Sequence, residues 1–114
     1  MGHIVLPRTM DLQNASEKPG YYALTGVPFL INKICTEYKC SISELEVSLF
    51  GGANSIREKD SFQIGKRNAE EVLKMLKILN IKPVSTEIGG YSSRTIEMDI
   101  LSGNVKVIKQ PIRF

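Results

Sequence analysis

The sequence predicts an α+β layered sandwich, an α/β-type fold in which a mixed β-sheet carries two packed helices. Two stretches repeat their apolar residues at the 3.6-residue helical period, while other runs alternate apolar and polar residues or are β-branched and bounded by glycine turns. A length of 114 residues, with 42% hydrophobic and 24% charged, suits one domain spanning residues 1–114.

Taken in order, His3, Ile4, Val5 and Leu6 form a short apolar run stopped by Pro7, the tail of a strand entering a loop. Residues 8–20 are polar, contain Pro19 and Gly20 and show no period, so they read as a loop. Ala23, Val27, Leu30, Ile31, Ile34, Cys35 and Tyr38 then trace a helical stripe ending near Lys39. Pro28 lacks an N–H, which places the N-cap near Thr25 and the proline in the first turn, or else gives a kinked helix from Tyr21.

Leu45, Val47 and Leu49 alternate with Glu44, Glu46 and Ser48, a half-buried strand delivered to the Gly51-Gly52 turn. A polar loop runs to Gly65. Residues 67–80 repeat the helical period through Val72, Leu73, Leu76 and Leu79, and Pro83 prevents continuation. Strands follow at 83–88, 95–100 and 105–109, with Gly89-Gly90 and Ser102-Gly103-Asn104 as turns, and together they read as a meander.

Composition removes several function classes. A formal charge of +3 is too small for a dedicated nucleic-acid surface. The longest apolar run, residues 27–31, is far short of the roughly 20 residues that cross a bilayer, so a cytoplasmic protein that is not membrane-embedded is expected. Cys35 and Cys40 are spaced neither as C-x-x-C nor as part of a zinc quartet and are expected to be reduced thiols. His3 is the single histidine, which removes every zinc site needing two imidazoles. Nucleotide, P-loop, zincin and serine-hydrolase signatures are all missing, so neither a cofactor nor a metal is expected.

What remains is a series of short clusters at element ends: His3 before Leu6-Pro7, Gly51-Gly52-Ala53, Ile64-Gly65-Lys66-Arg67-Asn68, and Gly89-Gly90 followed by Arg94. Singly, the glycine pairs are turns, Arg67 and Asn68 are a solvated helix start, and Cys35 is a small core residue. In order, and with Tyr22-Ala23-x-Thr25 between the first and second, they resemble the CheD family of chemoreceptor glutamine deamidases over nearly the whole chain.

The resemblance implies hydrolysis of receptor glutamine side chains to glutamate and ammonia. It also implies two partners, the cytoplasmic helices of methyl-accepting chemoreceptors and a CheC-like phosphatase that competes for the same surface. His3 takes the position of the family's general base. The partner surface maps onto Gly51, Gly52, Ala53, Ile56, Arg67, Asn68, Gly89, Gly90 and Arg94. In the family the nucleophilic cysteine stands in a G-x-G-S-C-V stretch about one strand upstream of the histidine, with a threonine just before it. Residues 1–114 begin after that point, so the resemblance implies a domain lacking its N-terminal strands and inactive alone. A catalytically silent module that binds receptor tails or the phosphatase is the alternative. The family's Leu-Pro-Asp and Tyr-Ala-Asp-Thr are here Leu6-Pro7-Arg8 and Tyr22-Ala23-Leu24-Thr25, a loss of two carboxylates. Ile56 stands where the family often exposes an aromatic.

Overall fold

A computed structural model describes residues 1–9, 11–54 and 63–111. Its ordered elements are α1 (Leu12–Glu17), α2 (Ala23–Tyr38), β1 (Ser48–Gly51), α3 (Ile64–Ile78), β2 (Ser85–Ile88), β3 (Ser92–Met98) and β4 (Val105–Pro111), with 3-10 turns at Pro19–Tyr21 and Ile42–Glu44. Helices and strands are mixed, as an α+β fold requires. The strands divide into two pairs rather than one mixed sheet: β1 runs parallel to β2, and β3 is antiparallel to β4.

The core forms where α2 crosses α3. Val27 and Ile31 on one helix meet Met75 and Leu76 on the other, with Cys35, Leu45, Val47, Leu49, Val72, Leu79 and Ile81 packed around them. Leu76 is the most enclosed of the large side chains, at 2% exposure. The alternation before β1 survives as burial, with Leu45, Val47 and Leu49 half-buried and Glu44, Glu46 and Ser48 exposed.

Helix α2 begins at Ala23, two residues before the position of the expected cap, and Pro28 lies within it. The reason lies far away in sequence. The orphan N–H groups of Ala23 and Leu24 donate to the carbonyls of Leu6 (2.9 Å) and Pro7 (3.0 Å), so the N-terminal segment caps the helix and no Thr25 cap is needed. Thr25 instead donates its hydroxyl to the Pro19 carbonyl at 2.6 Å. The expected strand at residues 3–6 is reduced to a bridge between Leu6 and Tyr22, because its hydrogen bonds go to the helix entrance.

The loop expected over residues 8–20 contains α1. Asp11 caps it by accepting from the N–H groups of Gln13 (3.0 Å) and Asn14 (3.3 Å), and Gln13 bonds Glu17 one turn on. No α1 residue is buried, which is why it left no apolar period.

The meander is also corrected. Helix α3 carries the chain back so that β2 lies beside β1 in the same direction, with Ser48 opposite Ser85 and Gly51 opposite Ile88. The hairpin begins only at β3. Its turn is closed by Gly103 N–H on the Asp99 carbonyl at 2.7 Å and leaves Ile100 and Leu101 almost fully exposed. Among the described residues no helix is long and apolar enough to cross a membrane.

Candidate functional site

Parallel pairing brings the ends of β1 and β2 together, and with them the two glycine turns. Gly51, Gly52, Gly89 and Gly90 all have positive φ (104°, 66°, 80° and 68°), a region that side chains with a Cβ enter only at a cost. The turns are laced to each other: Gly89 N–H donates to the Gly51 carbonyl at 2.8 Å, and Asn54 N–H to the Gly90 carbonyl at 2.9 Å.

Arg94, on β3, fastens the cluster from the hairpin side. Its Nη1 donates to the carbonyls of Gly51 (3.1 Å) and Ser92 (3.3 Å), and Nη2 donates to the Gly89 carbonyl at 2.9 Å. Its Nε is buried without a hydrogen-bond partner, an arrangement that costs about 1–3 kcal/mol. The guanidinium is therefore turned inward onto backbone, where it sets the shape of the turns.

Helix α3 starts against the same cluster. A Cβ on Gly65 would overlap the Ala53 carbonyl and lie 2.5 Å from that of Gly52, so the helix meets the turn only because this residue is glycine. Asn54 Oδ1 accepts from Lys66 N–H at 3.1 Å and so satisfies a free N–H of the first helical turn. Sequence reasoning placed Gly65 in a loop and did not single out Asn54. A polar residue directly after Gly-Gly-Ala was the available signal.

One turn into α3, Asn68 Nδ2 donates to the Val5 carbonyl at 2.9 Å, while its Oδ1 is buried and unpaired. Arg8 reaches Glu71 on the same helix at 2.7 Å. On the opposite side the N-terminal segment lies along α2. A Cβ on Gly26 would sit 2.8 Å from Ile4 Cδ1, and one on Gly2 would sit 2.9 Å from Leu30 Cδ2. His3 thus lies on a segment gripped between α2 and α3, with its own side chain exposed.

The expected residues therefore fall into two groups. Gly51, Gly52, Ala53, Gly89, Gly90 and Arg94 form one cluster. Asn68 instead bonds the backbone of the segment that carries His3, and the opening turns of α3 connect it to the cluster. Arg67 is exposed beside Asn68, and Ile56 lies outside the described residues.

Neither cysteine is placed to serve His3. Cys35 is five residues beyond Leu30, about 140° around the helix, and packs on the core face instead of the face the His3 segment follows. Burial, then the hydrogen-bonded Cys40 thiol and the Glu44 carboxylate, push the Cys35 thiol above its ordinary range, which suppresses the nucleophilic thiolate. Among the described residues no group of three or more His, Cys, Asp or Glu side chains could hold a metal ion.

The profile of the family described as CheD chemotactic sensory transduction matches residues 5–109. A chemoreceptor glutamine deamidase CheD of Thermotoga maritima is 36% identical over 109 residues, covering 96% of this chain and 66% of its own length. Probable chemoreceptor glutamine deamidases CheD of Syntrophotalea carbinolica and Methanococcus maripaludis are 34% and 32% identical, each covering 94% of this chain and, respectively, 67% and 68% of their own lengths. The chain spans about two thirds of the length of these relatives. A family match over residues 5–109, which holds both glycine turns and the Arg94 strand, together with identities above 30% along nearly the whole chain, places this protein in the CheD family.

Proposed function

We propose that this chain forms the histidine-bearing body of a thiol-dependent deamidase that converts glutamine side chains of chemoreceptors to glutamate, with His3 as the general base. The observation that carries the reading is the placement of His3: its segment is fixed by Asn68 on one side and by the Gly26 and Leu30 stretch of α2 on the other, while the imidazole faces solvent. A general base needs a rigid backbone and an accessible ring.

In this scheme His3 takes the proton of a cysteine thiol, and the thiolate attacks the glutamine amide carbon. The imidazolium then gives its proton to the departing nitrogen, releasing ammonia and leaving a thioester. Water, deprotonated by His3, hydrolyses the thioester to glutamate and restores the thiol. Since Cys35 and Cys40 are not placed for the role, the thiol comes from outside residues 1–114, in the G-x-G-S-C-V stretch typical of the family.

The glycine cluster serves as the docking face for chemoreceptor helices and for a CheC-like phosphatase. Gly51, Gly52, Ala53, Gly89, Gly90, Arg67 and Asn68 supply the surface, and Arg94 holds its shape from behind.

Mass spectrometry of a receptor-derived glutamine peptide tests the reading. The 114-residue chain should leave Gln unchanged, and the chain extended by the cysteine-bearing strands of a relative should convert it to Glu. His3→Ala in the extended protein should lower turnover by about 10²–10⁴-fold with an unchanged melting temperature. Conversion by the 114-residue chain itself would refute the placement of the thiol, and full activity of the extended His3→Ala protein would refute the role of His3. Receptor binding without turnover by the extended protein would favour the silent binding module.

A further inference from the structure

We infer that Cys35 and Cys40 are a redox-active pair, poised to close an intramolecular disulfide across the C-terminal turn of α2. Lys39 ends that helix in the left-handed region (φ 51°, ψ 44°), and the N–H groups of both Lys39 and Cys40 turn back onto the Cys35 carbonyl, the latter at 3.1 Å. The bond from Cys40 to Cys35 spans the six residues of a Schellman closure, in which the first and last side chains meet, commonly as an apolar contact. Here both are cysteines, and the Cys40 thiol is among the neighbours that raise the Cys35 thiol pKa. A disulfide needs α-carbons roughly 4.4–6.8 Å apart, a separation that a turn closed in this way provides without unwinding the helix.

Both thiols are free and half-buried, and Cys40 is flanked by exposed Lys39 and Ser41. The oxidant is a small disulfide such as oxidised glutathione. Cys40, as its thiolate, attacks one sulfur of that disulfide, forming a mixed disulfide and releasing one glutathione thiol. Cys35 then gives up its proton to solvent and displaces the second glutathione. The protein loses two electrons and two protons, and the glutathione disulfide is reduced to two thiols. The order follows from the packing of Cys35 against the α2–α3 core, where its raised thiol pKa further disfavours first attack.

The consequence reaches beyond the turn, because Cys35 belongs to the shell of the α2–α3 core and Cys40 leads through residues 41–47 into β1. A covalent link there ties the core face of α2 to the strand that carries the first glycine turn. The deamidase reading can fail without affecting this inference.

The test treats the folded chain with glutathione buffers of rising oxidised fraction, blocks remaining thiols by alkylation and maps the tryptic peptides. Trypsin cuts after Lys39, so a Cys35–Cys40 disulfide leaves residues 34–39 attached to the peptide that begins at Cys40, with no cross-link between chains. Cys35→Ser should stop at a glutathione adduct on Cys40, and Cys40→Ser should acquire its adduct on Cys35 at least ten-fold more slowly. Full alkylation of both cysteines in fully oxidised glutathione, or cross-linked dimers in place of the linked peptides, would overturn the inference. Equal adduct rates in the two variants would overturn the order of attack.

Discussion

Helices α2 and α3 meet through the side chains of Val27, Ile31, Met75 and Leu76, whereas the β3–β4 hairpin is tied to the glycine cluster and β2 through a guanidinium and an ion pair. The helix pair buries apolar surface, a force that is non-directional and grows with the area removed from water. The hairpin depends on Arg94 at the Gly51 and Gly89 carbonyls and on Lys109 at Glu87, 2.6 Å away. Of its own apolar residues, Met98, Ile100, Leu101 and Val105 remain exposed. Stability and shape are therefore held in different places: the helices keep the chain folded, and the hairpin contacts set the form of the glycine turns.

The difference should be sharpest under Leu76→Ala. Removing the most enclosed large side chain is expected to destabilise the fold by about 3–5 kcal/mol, read as a lower urea midpoint. A loss below about 1 kcal/mol would show that the α2–α3 contact is not the stabilising centre.

Arg94→Ala comes next. It leaves the carbonyls of Gly51, Ser92 and Gly89 without this donor and should cost about 1–3 kcal/mol. Hydrogen exchange should accelerate at the Asn54 and Gly89 amides and stay unchanged in the middle of α3. Uniform acceleration across the chain would mean that the two regions are not separable.

The smallest effect belongs to Lys109→Ala. Its ion pair with Glu87 is partly exposed, with side-chain exposures of 54% and 30%, so the loss should be at most about 1 kcal/mol. That loss should shrink further at high salt, in contrast to the Leu76→Ala effect. A salt-independent loss above 2 kcal/mol would break the comparison.

The helix pair was also the more legible half in the sequence. The stripe through Val72, Leu76 and Leu79 locates α3 because a helix that packs on another must repeat its apolar residues. The doubled glycines were likewise readable as positive-φ turns. The links between distant segments were not. Nothing local marks Leu6 and Pro7 as acceptors for the entrance of α2, or Arg94 as a clamp on carbonyls 43 and five residues away. Gly65 read as a break because its close approach to the Gly52 and Ala53 carbonyls is a property of the assembled fold. The strand before Gly89 was assigned to a meander since a Gly-Gly pair resembles a hairpin turn, and only the return path of α3 makes β2 a parallel partner of β1.

The bond from Asn68 to the Val5 carbonyl spans 63 positions, as does the ion pair of Arg8 with Glu71. On a ribosome adding about 5–20 residues per second, the His3 segment is made roughly 3–13 seconds before the helix that clamps it. For that interval Ile4, Val5 and Leu6 have no α3 to rest on. Vectorial synthesis therefore leaves this segment exposed until α3 has been made, and for that interval it is an apolar target for a chaperone.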